Sequence, residues 1–169
     1  MRKSVAKNKN HKLQSVRLDD CILLQRNPQY LSPKRMESLK RSIERDGFVA
    51  PILVRRHPTI ANKFEIVSGN HRFMAAQELG YETIPALVAN LGTKDAKRLA
   101  INLNLIHGDP LAEQLAPFLA DLDDDVLSEI YLDGELLKDV INFDQTLKER
   151  LLQLDDIPGF DQESPRTQI

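Results

Sequence analysis

The order of apolar and polar residues predicts short strands alternating with helices over the first two thirds of the chain. A strand is predicted from Ser15 to Leu24, before a break at Arg26-Asn27-Pro28. A helix follows, because the Ser32-Pro33 pair is typical of a helix start and Gly47 of a helix end. Its apolar face carries Met36, Leu39 and Ile43, with lysines and arginines on the other face.

Three further strand candidates surround a second helix. The predicted elements are strands at 51–55 and 64–67 joined as a hairpin, a helix at 72–79, a strand at 83–89 and a helix at 94–104. After Pro110 the pattern indicates only short amphipathic helices. We therefore expect a disordered basic arm at 1–14, one domain at 15–109, a helical segment at 110–155 and a disordered tail at 156–169.

The charge is distributed unevenly along the chain. Residues 1–107 hold 19 Lys+Arg and 9 Asp+Glu, whereas residues 108–169 hold 4 and 16, which gives net charges of +10 and -12. A basic body attracts phosphate, in nucleotides or in DNA. The acidic tail could bind a protein partner, cover the chain's own basic body, or simply keep the protein in solution.

Several classes of protein are disfavoured. We find no apolar stretch of the roughly 20 residues that a membrane span requires, and the basic start lacks the apolar core of a secretory signal. Cys21 is the single cysteine, so an internal disulfide is excluded and a cytoplasmic location is expected. The histidines lack metal-ligand spacing, and Asp121 to Asp125 lack the glycine and terminal glutamate of a calcium loop. We therefore expect no metal site formed by the protein alone.

The run Ser68-Gly69-Asn70-His71-Arg72 carries the most informative chemistry. It combines a strand end, a glycine turn and a helix start, where free N–H groups and the helix dipole attract anions. Gly69 permits close backbone approach, Arg72 offers a forked cation to phosphate oxygens, and His71 could donate to a phosphate or move a proton. On spacing alone, a glycine at such a position more often belongs to an ordinary strand–helix turn than to a phosphate site.

The order of segments adds a family resemblance. PILVRR at 51–56, FEIVSGNHRFMAAQELG at 64–80 and TIPALV at 83–88 together resemble the ParB N-terminal domain family, which shares its fold with sulfiredoxin. The resemblance covers about residues 15–109. It implies an α/β (α+β) fold, a small mixed sheet flanked by helices, followed here by the acidic helical appendage.

The resemblance also implies a site for a nucleoside triphosphate, CTP or ATP, with Mg²⁺ as an additional candidate. The candidate residues are the run from Ser68 to Arg72 together with Asn104 and His107. Gly69, Arg72 and Ala75 fall on the family's glycine-arginine motif, in which Asn70 and His71 replace its usual acidic and second basic residues. Asn104 falls on the asparagine of a second family motif, and His107 stands where that motif has an arginine. Arg55 is a further candidate for the same cleft, the alternative being an exposed charge at a strand end. Leu103 stands where the family has a glutamate, which puts Mg²⁺-dependent CTP hydrolysis in question.

Three functions remain open at this point. The first is a nucleotide-binding, DNA-associated protein of the phage or mobile-element type, as a homodimer, with nucleotide hydrolysis or nuclease activity undecided. The second is a small-molecule kinase similar to the free-serine kinases, with Glu37 or His71 as the catalytic candidate. The third is a non-catalytic interaction module that acts through its acidic tail. Sulfiredoxin-type reduction is not expected, since Asn70 stands where those enzymes carry the reactive cysteine.

Overall fold

The computed structural model describes residues 11–24, 31–107, 112–130, 132 and 134–154. The chain divides into two compact units, with the division between Ala96 and Lys97. The sequence-based boundary at residue 109 lies further along the chain. Most of the predicted basic arm, the break at 26–28 and the predicted tail at 156–169 fall outside the described residues.

In the described part of the first unit, five strands form one mixed sheet in the order β1-β5-β3-β4-β2. Pairing is antiparallel for β1 with β5 and for β3 with β4, and parallel for β3 with β5 and for β2 with β4. The mixed α/β class predicted from the sequence is thereby confirmed. The strands are β1 (Lys12–Arg17), β2 (Cys21–Leu23), β3 (Ile52–Arg56), β4 (Phe64–Ser68) and β5 (Thr83–Ala89).

The prediction of one strand from Ser15 to Leu24 is wrong. Strand β1 begins at Lys12, inside the segment expected to be disordered, and a short 3-10 helix, Leu18–Asp20, separates it from β2. The buried Leu18 anchors this turn, and its N–H donates to the Glu82 carbonyl at 3.0 Å. Because β1 and β2 lie on opposite edges of the sheet, the turn carries the chain from one edge to the other. Alternation of apolar residues cannot reveal such a crossing.

Two helices accompany the sheet, α1 (Pro33–Asp46) and α2 (Asn70–Glu78). The predicted caps of α1 are present: the Ser32 side chain accepts from the Arg35 N–H, and Gly47 has φ 73°. Lys40 of α1 pairs with Glu78 of α2 at 2.9 Å. Helix α2 contributes Phe73 and Ala76 to a core that also contains Val16, Leu18, Ile52, Val54, Ile66, Ile84 and Ala86.

The second unit is helical, as the sequence predicted. Helix α3 (Thr93–His107) contains the division point, and it is followed by α4 (Ala112–Ala120), α5 (Asp124–Leu127), α6 (Gly134–Phe143) and α7 (Gln145–Gln153). Arg150 of α7 donates to the Ala120 and Leu122 carbonyls at 2.6 and 2.7 Å, which holds the end of α4. Apolar side chains from all four later helices and their connections are buried, among them Leu115, Leu119, Leu127, Val140, Leu147 and Leu151. No described helix is long and apolar enough to span a membrane.

Candidate functional site

The turn between β4 and α2 lies where the sequence predicted an anion site. Gly69 is left-handed, with φ 98° and ψ 24°, and α2 begins at the next residue. The Phe73 N–H donates to the Gly69 carbonyl at 3.0 Å. The N–H groups of Asn70, His71 and Arg72 therefore precede the helical hydrogen-bond ladder, and they are the donors that bind anions at helix starts.

Gly69 cannot be replaced without strain, for two separate reasons. Its positive φ disfavours any residue with a Cβ atom. A Cβ built at this position would also lie 2.7 Å from Ile52 Cγ2 and 3.1 Å from Arg72 Nη2. The sequence suggested that Gly69 lets the backbone approach a ligand closely. In the structure, the groups that lie close to Gly69 are Ile52 of strand β3 and the Arg72 guanidinium.

Arg72 places a cation beside the turn. Its Nη1 donates to the carbonyl oxygens of Ala50 and Pro51, both at 2.8 Å. No carboxylate in the described part of the chain pairs with it. Burial lowers the pKa of the Arg72 guanidinium, because a half-buried cation loses hydration without gaining a counter-charge. An anion bound here would supply that counter-charge.

Asn70, the first residue of α2, adds an unsatisfied polar group. Its Oδ1 atom is buried and has no hydrogen-bond partner among the described residues. A buried polar atom of this kind costs about 1–3 kcal/mol until it is paired. A ligand with a hydroxyl or amino group could pair with the oxygen, and rotation of the amide would instead offer its NH₂ group to a phosphate.

Ser68 and His71 flank these residues. Ser68 is the last residue of β4 and lies opposite Leu53, next to a shift in the pairing register of β3 and β4. His71 is half-buried in the first turn of α2. The structure thus brings all five residues of the predicted run to one turn, and their contact with a nucleotide stays a prediction.

Arg55, the further candidate, lies on the other face of the sheet from the core residue Val54. Its side chain is buried and pairs with Glu65, directly opposite on β4, with both Nε and Nη2 at 2.5 Å from Glu65 Oε2. Nη1 reaches Thr93 Oγ1 at 3.2 Å and the Leu91 carbonyl at 3.4 Å. The Arg55 donors are thus used within the protein, and its contact with a nucleotide stays a prediction.

The other candidates lie on separate elements. Glu37 is exposed on α1 and pairs with Lys40. Asn104 is half-buried on α3 in the second unit, and His107 ends that helix with a side chain outside the described residues. Among the residues that the structure describes, no group of three or more His, Cys, Asp or Glu side chains could hold a metal ion.

Cys21 has the properties of a structural thiol. It is half-buried on the edge strand β2, and its Sγ donates to the Arg17 carbonyl at 3.4 Å. Burial, reinforced by the negative charge of Asp20, raises the pKa of this thiol to about 11. It is therefore protonated at neutral pH, where nucleophilic cysteines are thiolates.

Sequence reasoning did not identify the partners of the two arginines. The Ala50 and Pro51 carbonyls lie more than 20 residues before Arg72 and carry no side-chain signal. Glu65 could have been found, because a hairpin joining 51–55 to 64–67 brings residues 55 and 65 close to each other.

Comparison with known proteins identifies the family of the chain. The ParB N-terminal domain model matches residues 2–105. A probable chromosome-partitioning protein ParB from Vibrio cholerae is 31% identical over 127 residues, 75% of this chain and 41% of the relative. The Caulobacter vibrioides ParB is 37% identical over 93 residues, 52% of this chain and 30% of the relative. The chain therefore spans less than half the length of these relatives.

A solved structure agrees with the fold. The C-terminally truncated ParB of Caulobacter crescentus, complexed with CTP-γ-S, superposes with a TM-score of 0.52 at 25% identity and covers 80% of this chain and 74% of that one. The family match extends over more than half of the sequence, and the mixed sheet of the first unit agrees with it. The chain belongs to the ParB N-terminal domain family.

Proposed function

We propose that this protein binds a nucleoside triphosphate, with CTP as the first candidate, at the β4–α2 turn. The observation that carries the proposal is the half-buried Arg72 cation, which pairs with no carboxylate among the described residues and lies beside the first N–H groups of α2. Phosphate oxygens would accept from those N–H groups and neutralise the cation. Asn70 would pair with the same ligand, which would satisfy its buried amide.

The choice of CTP rests on the relative that is complexed with CTP-γ-S. The residues present suit the phosphate part of such a ligand, since a glycine cradle and a forked cation recognise phosphate whatever base it carries. Asn104 and His107 are further candidates for contact with the ligand on the resemblance of the sequence motifs alone. The Leu103 side chain has no oxygen to offer to Mg²⁺, so we propose nucleotide binding as the primary activity. Whether hydrolysis or strand cleavage follows is left to measurement.

We further propose that the protein associates with DNA, as a homodimer and in a phage or mobile-element setting. The support is the net charge of +10 over residues 1–107 and the relatives named as chromosome-partitioning proteins. A helical segment with acidic side chains follows, instead of a basic recognition helix. That segment is the proposed site for a protein partner or for docking on the chain's own basic body.

Calorimetric titration with CTP, ATP and GTP, with and without Mg²⁺, tests the nucleotide site. We expect Arg72→Ala to weaken binding by about 10- to 100-fold, the effect of losing a charge-assisted hydrogen bond of about 1.5–3 kcal/mol. Arg56→Ala is the matched control, because Arg56 is an exposed arginine that packs over the Phe64 ring.

Equal affinity of the Arg72→Ala variant and the original protein would refute the site. Release of AMP or ADP that requires free serine would instead favour the small-molecule kinase.

A further inference from the structure

Helix α1 carries a basic stripe on its outer face. Lys34, Ser38, Arg41 and Arg45 are all exposed and recur at spacings of four, three and four residues. At about 100° per residue, the four side chains project within about 60° of one another. The buried Ile43 projects from the opposite face of the helix, so the stripe points away from the packed side of α1.

The stripe is not neutralised by its surroundings. Lys34 and Arg41 form no ion pair with a carboxylate in the described part of the chain, whereas Arg45 pairs with the neighbouring Asp46 at 2.7 Å. Glu37 lies on the flank of the helix and is held by Lys40. At least two cations are therefore available to a polyanion, with a third at the end of the row.

The geometry points to the backbone of double-stranded DNA as the ligand of this basic stripe. We propose that Lys34 and Arg41 contact its phosphates independently of base sequence, as the DNA-binding surface of the first unit. The helix rises about 16 Å over the eleven steps from Lys34 to Arg45, enough to follow several phosphates of one strand. The stripe has no apolar side chain of the kind that anchors an interfacial helix in a lipid surface. This inference rests on the DNA-associated part of the proposed function and not on nucleotide binding.

Fluorescence anisotropy with a labelled duplex of random sequence, without nucleotide, tests the inference between about 50 and 200 mM salt. The variant is Lys34→Gln with Arg41→Gln. The control is Lys12→Gln with Lys138→Gln, which removes the same charge from exposed positions on β1 and α6. The slope of the logarithm of the affinity against the logarithm of the salt concentration should decrease in magnitude by about 1.8 when two phosphate contacts are lost. Near 0.1 M salt this corresponds to binding that is about 60-fold weaker. The control should retain the original slope.

Equal weakening of DNA binding in both variants would refute the assignment of the stripe as the DNA-binding surface, because total charge would then explain the binding. The association with DNA itself would stand. Absence of duplex binding by the original protein would overturn the stripe together with DNA association. Binding to phosphatidylserine vesicles but not to duplex would assign the stripe to lipid and overturn the inference. Calorimetry with CTP on the same variants reports separately on the nucleotide site, which the stripe substitutions should leave unchanged.

Discussion

Arg55 and Arg72 belong to the same unit, and the protein uses their charges in opposite ways. Arg55 is 2% exposed and faces the Glu65 carboxylate, so its charge is neutralised inside the fold. Arg72 donates to two uncharged carbonyl oxygens and pairs with no carboxylate in the part of the chain that the structure describes. An arginine in a sequence indicates a cation, but only its partners decide whether that cation is available to a ligand.

The largest expected effect comes from removing the partner of Arg55. Glu65→Gln leaves a buried guanidinium without its counter-charge, which should lower the free energy of unfolding by about 3–5 kcal/mol. Urea unfolding followed by circular dichroism measures this loss. The exposed Glu44→Gln serves as control and should change stability by less than about 0.5 kcal/mol. If the free energy of unfolding of Glu65→Gln decreased by less than about 1 kcal/mol, the burial of Arg55 would not depend on its ion pair with Glu65.

Substitution at the turn should have an intermediate effect. Gly69→Ala combines a left-handed backbone with overpacking against Ile52, and the two together should cost about 2–4 kcal/mol. Gly80→Ala is the matched control, because Gly80 has φ 77° and no atom within 4 Å of the added methyl. It should lose only the backbone contribution, about 1–2 kcal/mol. Equal losses in thermal or urea unfolding would show that the contact with Ile52 is not restrictive.

The smallest expected loss of stability is that of Arg72→Ala without nucleotide. The substitution removes two hydrogen bonds to carbonyl oxygens, but the carbonyl of the exposed Ala50 can accept a hydrogen bond from water instead. We therefore expect the free energy of unfolding to decrease by about 1–2 kcal/mol. Unfolding measurements alongside Glu65→Gln make the comparison direct. A loss for Arg72→Ala as large as that for Glu65→Gln would assign Arg72 a structural role like that of Arg55.

Local features of the fold could be predicted because their causes lie within a few residues. The Ser32-Pro33 start of α1 and its Gly47 end depend on capping and on a left-handed glycine. The hairpin of β3 and β4 and the whole of β5 follow from apolar runs bounded by turns. The path from β1 to β2 was missed, because it depends on which edges of the sheet are free.

The sequence by itself determined the family, the glycine turn at Gly69 and the presence of a cation at Arg72, since these depend on residue type and order. The tertiary structure decided what each group meets. Strand register brought Glu65 to Arg55, and the connection between α1 and β3 brought the Ala50 and Pro51 carbonyls to Arg72. The electrostatic effect of a charge depends on its distance from partners that lie far away in the sequence, so only the folded chain could show which of these arginines meets a carboxylate.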